Sequence, residues 1–186
     1  MKKIAVFASG SGSNAEAIYE YFKNDAVKIE IVVCNKENAG VLDRATRWGC
    51  DQLVIDRAVF QSETLVEELK SREIDLIVLA GFLWLIPTTL LNEFPNQIVN
   101  IHPALLPKYG GKGMHGMNVH RAVFANKEKE SGITIHYINQ EYDKGASIFQ
   151  TTCDVEGLLP EEIAAEVLKL EHYHFPRVIE QLLLDE

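Results

Sequence analysis

Asn100 and His102 stand two residues apart at the end of an apolar segment, in the stretch NIHPALLPKYGGKGMHG at residues 100–116. Side chains two apart on a strand share one face, so the amide and the imidazole would project together. This pair suits a carbonyl that becomes a tetrahedral oxyanion, because both groups donate hydrogen bonds and the imidazole also transfers a proton near neutral pH. An asparagine turn followed by a capping histidine would explain the same residues, and the motif alone leaves both interpretations open.

A glycine-rich segment, SGSGSN at residues 9–14, follows a short apolar run and precedes a helical pattern. Glycine lets the backbone approach a ligand, and amides at a helix N-terminus point toward an anion. Gly10, Gly12 and Ala15 formally match the dinucleotide fingerprint, but the second apolar run lacks the acidic residue at its end that binds a ribose. The added serines and asparagine favour a terminal phosphate over a tight turn with simple helix capping.

Asp143 lies in the segment EYDKG, residues 141–145, between two segments of alternating polarity. Aspartate is common in turns for local reasons, so its position alone carries little information. If this turn folds back over the strand ends, the carboxylate could pair with His102. That pairing would favour the imidazolium, which is the form that a catalytic acid requires.

The apolar segments predict the elements that would position these groups. Buried parallel strands are predicted at residues 4–8, 29–34, 74–82 and 97–101, and helices at residues 15–23 and 60–72. Alternating segments at 131–140 and 146–155 predict an antiparallel hairpin with a turn of about four or five residues. A long helix is predicted from Pro160 to Leu184, with Pro176 kinking or splitting it.

These elements predict an α/β fold: an open, Rossmann-like, mostly parallel sheet with helices on both faces and an antiparallel C-terminal hairpin extension. We expect a single domain over residues 1–186, with a phosphate-binding half at about 1–100 and a catalytic half at about 100–186. Ligands of such sheets bind at the carboxyl ends of the strands, which is where Asn100 and His102 would lie.

Composition argues against several classes of function. The 186 residues carry a formal net charge of −9 without a cluster of lysines or arginines, which argues against nucleic-acid binding. No apolar run approaches the roughly 20 residues of a membrane span. The three cysteines lack metal-ligand spacing, so we expect free thiols, a cytoplasmic location and no metal. For the oligomeric state we expect a monomer or a weak homodimer.

The remaining histidines carry weaker signals. His172 and His174 are two apart in a helical segment, so their side chains diverge and cannot share a metal ion. His136 lies on the predicted hairpin and could approach the site, but we interpret it as a histidine of the core whose hydrogen bonds are satisfied.

Taken together, these motifs resemble those of the folate-dependent formyltransferases. The family's active-site strand, Asn-x-His-Pro-[Ser/Ala]-Leu-Leu-Pro, stands here as NIHPALLP at 100–107, and its acid-x-Asp-x-Gly turn stands as EYDKG at 141–145. A Ser-Gly-x-Gly-Ser-Asn phosphate loop and a Leu-Ala-Gly-Phe strand end are present at 9–14 and 79–82. The resemblance covers the chain from Met1 to the last helix and is nearest to the members that use glycinamide ribonucleotide.

The resemblance implies transfer of a formyl group from the co-substrate 10-formyltetrahydrofolate to the amine of glycinamide ribonucleotide, a step of purine biosynthesis in one-carbon metabolism. Asn100 and protonated His102 would stabilise the oxyanion, and Asp143 would keep His102 charged. Gly12, Ser13 and Asn14 would hold the ribonucleotide's phosphate.

Further binding residues are implied by the same resemblance. Glu171 matches a family glutamate near the ribose and glycinamide of the substrate. Besides Asn100 and Asp143, the implied folate-binding residues are Arg57, Leu83, Trp84, Leu85, Ile86 and Tyr142. Trp84 and Ala104 replace commoner residues of the family, and the loop at 111–120 is longer than in several members.

Alternative functions make different demands on the chain. Methionyl-tRNA formyltransferase would need a further C-terminal domain, and formyltetrahydrofolate hydrolase an extra N-terminal one, so the chain length favours neither. A nicotinamide-dependent oxidoreductase would explain the glycine loop but leaves Asn100, His102 and Asp143 without a role. A non-catalytic nucleotide-binding module is the remaining alternative, and replacing His102 would distinguish it from an enzyme.

Overall fold

A computed structural model describes residues 1–23 and 26–184, and its centre is a single mixed sheet. The strands are β1 (Lys2–Ala8), β2 (Val27–Cys34), β3 (Asp51–Val54), β4 (Leu76–Leu79), β5 (Ile98–His102), β6 (Glu130–Tyr137) and β7 (Ser147–Asp154). Their order across the sheet is β3-β2-β1-β4-β5-β6-β7. The pairs among β1 to β5 are parallel, and β6 and β7 extend the sheet in antiparallel fashion. The predicted fold class is confirmed.

Helices cover both faces of the sheet. They are α1 (Ser13–Phe22), α2 (Gly40–Trp48), α3 (Arg57–Phe60), α4 (Glu63–Ser71), α5 (Thr88–Glu93), α6 (Met117–Ala125) and α7 (Pro160–Leu184). One apolar core joins the sheet to α1, α2, α6 and α7, and a second joins its other face to α3, α4 and α5. Because both faces are covered, the central strands are apolar throughout, and β4 is buried along its whole length.

Two sequence-based predictions about the elements are wrong in detail, and a third is narrowed by the structure. The helix predicted at 60–72 is only α4, which begins at Glu63 because Ser62 has an extended backbone. Phe60 instead ends the separate helix α3, which begins after Asp56, whose side chain caps it. The connection between β6 and β7 spans residues 138–146, which is longer than the predicted turn. Of the two effects predicted for Pro176, the split is absent: α7 continues through it, because its neighbours Phe175 and Ile179 are buried in the core and hold the helix in place.

Five elements were not predicted: β3, α2, α3, α5 and α6. β3 is an edge strand whose residues are exposed or half-buried, so it lacks the apolar pattern of the other strands. No helix in residues 1–23 and 26–184 has both the length and the apolar character needed to cross a membrane.

Candidate active site

A cavity of about 780 Å³ opens at the carboxyl edge of the parallel strands. The strands β1, β4 and β5 are in register there, with Phe7 opposite Leu79 and Leu79 opposite Asn100, so the segments that follow them converge. The predicted site residues that line this cavity are Asn14, Leu83, Asn100, His102, Tyr142, Asp143 and Glu171. One cavity therefore joins the glycine-rich loop, the end of β5 and the connection between β6 and β7.

His102 lines this cavity, and each of its ring nitrogens faces an oxygen atom of the protein. Its Nδ1 atom is 3.5 Å from Oδ1 of Asp143. Its Nε2 atom is 2.7 Å from the carbonyl oxygen of Tyr109. A carbonyl and a carboxylate only accept hydrogen bonds, so in either contact the donor is the imidazole ring.

The second carboxylate oxygen of Asp143 accepts a hydrogen bond that fixes the position of the side chain. The backbone N–H of Gly111 donates a 2.9 Å hydrogen bond to Oδ2 of Asp143. Asp143 has a φ of 56°, in the left-handed region that aspartate tolerates better than most residues. This backbone conformation turns the carboxylate toward the ends of the strands, and the expected approach of Asp143 to His102 is present.

Asn100 is positioned by His136, its partner across β5 and β6. Nδ1 of His136 lies 2.9 Å from the Tyr137 carbonyl, and its Nε2 lies 3.1 Å from Nδ2 of Asn100. Burial lowers the pKa of His136, so the neutral ring donates from Nδ1 and accepts the Asn100 amide at Nε2. His136 is thus a buried histidine with both nitrogens paired, as predicted, and it also contacts the site.

The glycine-rich loop leads into α1 through Gly12, which has a φ of 77° and caps the helix. A Cβ atom at this position would lie 2.7 Å from Cβ of Val41, so only glycine fits. Ser13 and Asn14 begin α1, where the first backbone amides have no partner within the helix. Of these residues Asn14 lines the cavity, together with Ser11, whereas Gly12 and Ser13 lie in the same turn outside the cavity wall.

Glu171 on α7 is joined to this loop. Its Oε2 accepts a 2.7 Å hydrogen bond from Nδ2 of Asn14. Burial raises the pKa of Glu171 to about 7, although the Asn14 hydrogen bond opposes the shift. Oδ1 of Asn14 is buried without a hydrogen-bond partner in the described chain, so it can accept from a ligand.

The predicted folate-binding residues divide between two cavities. Leu83 and Tyr142 line the main one and are 40% and 38% exposed. Arg57, Leu85 and Ile86 line another cavity of about 450 Å³. Trp84 lines neither cavity, because its ring packs against Phe60 and under the Arg57 guanidinium, 4.0 Å from the ring centroid. Its predicted contact with folate stays a prediction.

Some residues of the site were not among the predicted ones. The loop at 111–117 and His120 line the cavity, and His120 is buried. Their sequence signal was the unusual length and glycine content of the loop. Within residues 1–23 and 26–184, no cluster of three or more histidine, cysteine, aspartate or glutamate side chains could hold a metal ion.

Known proteins share both the sequence and the fold. Residues 2–179 match the formyl transferase family. The Bacillus subtilis protein named phosphoribosylglycinamide formyltransferase is 38% identical over 98% of this chain and 95% of its own length. The chloroplastic Arabidopsis thaliana protein of that name is 41% identical over 96% of this chain, but the match spans only 64% of that protein.

A solved structure of a protein with the same kind of name has the same fold. The crystal structure of glycinamide ribonucleotide transformylase 1 from Geobacillus kaustophilus has a TM-score of 0.89 and 35% identity, covering 98% of this chain and 99% of that one. The family match also decides against the alternative of a nicotinamide-dependent oxidoreductase. The chain therefore belongs to the formyl transferase family and, within it, to the phosphoribosylglycinamide formyltransferases.

Proposed function

We propose that the protein transfers the formyl group of 10-formyltetrahydrofolate to the amine of glycinamide ribonucleotide, which yields formylglycinamide ribonucleotide and tetrahydrofolate in purine biosynthesis. The observation that supports this proposal is the shared cavity, which is lined by Ser11 and Asn14 of the glycine-rich loop and by Asn100, His102 and Asp143. The names of the Bacillus subtilis and Arabidopsis thaliana relatives support the same reaction.

The ribonucleotide would bind by its phosphate at the start of α1. Backbone amides of Gly12, Ser13 and Asn14 supply donors there, and the helix N-terminus favours negative charge. Glu171 and the unpartnered Oδ1 of Asn14 would receive the hydroxyl and amine protons of the ribose and glycinamide.

The transfer itself needs an attack and an elimination. The amine lone pair forms a bond to the formyl carbon, and the carbonyl π electrons move onto oxygen. The second N–H of Asn100, beside the one bonded to His136, would donate to this oxyanion, and Nε2 of His102 would donate by exchanging the Tyr109 carbonyl for the substrate. A lone pair of the oxyanion then re-forms the carbonyl π bond while the bond from carbon to the folate nitrogen breaks. The electron pair of the broken bond stays on that nitrogen, and the proton lost by the amine is delivered there. Asp143 stabilises the imidazolium through both steps.

The folate would enter along the loop after β4. Leu83 and the exposed face of Tyr142 offer apolar surface to its ring system. Leu85 and Ile86 would continue this surface toward Arg57, whose guanidinium suits a carboxylate of the folate tail. Trp84 would act through Arg57, by holding the guanidinium over its ring.

The remaining expectations form part of the same proposal. The enzyme would work without a metal, as one formyltransferase domain over residues 1–186, and as a monomer or weak homodimer. It would act on small molecules, because a net charge of −9 disfavours nucleic acid. A cytoplasmic location would suit its three unpaired cysteines, Cys34, Cys50 and Cys153.

The test is an assay of the purified protein with glycinamide ribonucleotide and 10-formyltetrahydrofolate, with both products followed by mass spectrometry. We expect His102→Ala to lower kcat about a thousandfold while ribonucleotide binding largely survives. His174→Ala is the matched control, since that ring packs on Phe149 outside the cavity. Absence of both products with folded wild-type protein would refute the proposal, and near-normal turnover by His102→Ala would refute the mechanism.

A further inference from the structure

Carbonyl oxygens of the glycine-rich loop, which packs against α2, accept hydrogen bonds from other groups of the protein. The backbone N–H of Val41 donates a 3.1 Å hydrogen bond to the Gly10 carbonyl. Nε of Arg44 donates a 2.8 Å hydrogen bond to the Ser11 carbonyl. The next carbonyl, that of Gly12, accepts from Glu16 within α1 at 2.9 Å. Three successive carbonyl oxygens of the loop are therefore held within the protein.

This arrangement decides which face the loop presents to a ligand. A free carbonyl oxygen would repel a phosphate, whereas a backbone amide attracts it. With its carbonyls bound by α2 and α1, the loop keeps its amides available at the start of α1. Arg44 contributes the one side-chain hydrogen bond among these three, so it is the contact that a substitution can remove.

The loop and α2 are also in tight van der Waals contact. A Cβ atom at Gly12 would lie 2.7 Å from Cβ of Val41, and one at Gly40 would lie 3.3 Å from Cα of Ser11. Glycines at both positions let the first turn of α2 lie directly against the loop. The position of α2 therefore shapes the loop's backbone.

Arg44 brings positive charge to this place as well as a hydrogen bond. Its guanidinium pairs with Glu16 of α1, and its charge extends to α7, where it contributes with burial to lowering the pKa of His172. Arg44 does not line the cavity, and it approaches the loop from the side of α2, where it donates to the Ser11 carbonyl. Its effect must pass through the loop and through the local electrostatic potential.

We propose that Arg44 is a positioning residue for the substrate's phosphate: it holds the Ser11 carbonyl away from the anion and adds positive charge behind the loop. The inference rests on the proposed function, because it takes the ribonucleotide's phosphate as the ligand of this loop. It assigns a role to a side chain outside the cavity.

The test compares Arg44→Gln with Arg47→Gln. Arg47 lies one turn further along α2 and pairs with the same Glu16 at 3.3 Å, but its described contacts do not include the loop. For Arg44→Gln we expect the KM for glycinamide ribonucleotide to rise about tenfold, with kcat and the KM for the folate within about twofold of wild type. Arg47→Gln should leave all three within about twofold.

A phosphate-free substrate separates positioning from general damage. With the corresponding nucleoside, glycinamide riboside, wild type and Arg44→Gln should have the same kcat/KM within about twofold. Arg44→Lys keeps the charge without the guanidinium geometry and should give an intermediate KM for the ribonucleotide. It also keeps the inference testable if Arg44→Gln does not fold.

Inorganic phosphate provides a readout that does not depend on turnover. In an amide NMR titration, phosphate should shift the Ser13 and Asn14 signals, and Arg44→Gln should require about tenfold more phosphate. Unchanged phosphate affinity in Arg44→Gln, or equal weakening in Arg47→Gln, would overturn the inference. Should the wild type bind phosphate but not form the formylated product, the proposed function would fall while the role of Arg44 stands.

Discussion

Nδ1 of His102 lies 3.5 Å from Oδ1 of Asp143, although one residue ends β5 and the other lies in the connection between β6 and β7. The same oxygen lies 3.7 Å from Nε2 of His136, and Oδ2 accepts from Gly111. The Asp143 carboxylate thus contacts His102 at the end of β5, His136 on β6 and Gly111 in the long loop that lines the cavity.

Removing the charge of Asp143 should impair chemistry more than binding. Asp143→Asn keeps an oxygen for the Gly111 amide but removes the anion opposite His102, so we expect kcat to fall about a hundredfold with little change in the KM for the ribonucleotide. Steady-state kinetics with both substrates measure this. Glu141→Gln is the control, since Glu141 is exposed in the same connection and pairs with Lys144. Equal losses in the two variants would contradict a specific role for Asp143.

Glu171 should make stability depend on pH. Its pKa rises from an ordinary value of 4.5 to about 7 in the folded chain, so between these values the folded state binds more protons than the unfolded state. Stability contributed by this group is therefore full below pH 4.5 and is lost as the pH rises through about 7, by about 3 kcal/mol in all.

The Glu171 prediction is measured by urea unfolding at pH 4.5 and pH 8. We expect Glu171→Gln to stabilise the protein relative to wild type by more at pH 8 than at pH 4.5, because glutamine is never charged. Glu166→Gln is the control on the same helix, where Glu166 pairs with Lys169 at the surface. A difference between wild type and Glu171→Gln that does not change with pH would show that Glu171 titrates normally.

Arg57 should affect the folate alone. Arg57→Gln removes the guanidinium above Trp84, and we expect the KM for 10-formyltetrahydrofolate to rise about tenfold with the KM for the ribonucleotide unchanged. Arg57→Lys should recover only part of the loss, because an ammonium lacks the planar fork. The exposed Arg121 serves as a control through Arg121→Gln. A rise in the KM for the ribonucleotide instead would show that Arg57 does not bind the folate.

Gly145 should be required for the connection that carries Asp143. A Cβ atom there would lie 1.6 Å from the Tyr137 carbonyl oxygen, so Gly145→Ala must displace backbone. We expect unfolding free energy to fall by about 1–3 kcal/mol and kcat to fall at least tenfold, because Asp143 moves with the connection. Lys144→Ala is the control, since Lys144 precedes Gly145 in the same connection and its exposed side chain pairs with Glu141 at the surface. Normal activity of Gly145→Ala would show that Asp143 holds its place independently.

The sequence-based predictions of strands were correct where the strand is buried on both faces of the sheet. β1, β2, β4 and β5 are apolar because both faces of the sheet are covered, and that pattern is visible in any single segment. The edge strand β3, with exposed Asp51 and Gln52, carries no such pattern and was missed. The prediction of a helix at 60–72 wrongly joined Phe60 of α3 to α4. The buried residues Phe60, Leu65 and Leu69 keep a nearly helical spacing across the break at Ser62, so the pattern does not show where one helix ends and the next begins.

The amino-acid sequence by itself determined the sheet's apolar strands, the glycine turn before α1 and the common face of Asn100 and His102, because these depend on residues close together in the chain. Only the tertiary structure decided that Asp143 reaches His102, that His136 holds Asn100, and that Glu171 meets Asn14. These contacts join distant segments, and their geometry depends on how strands pair and helices pack, which local sequence preferences do not specify.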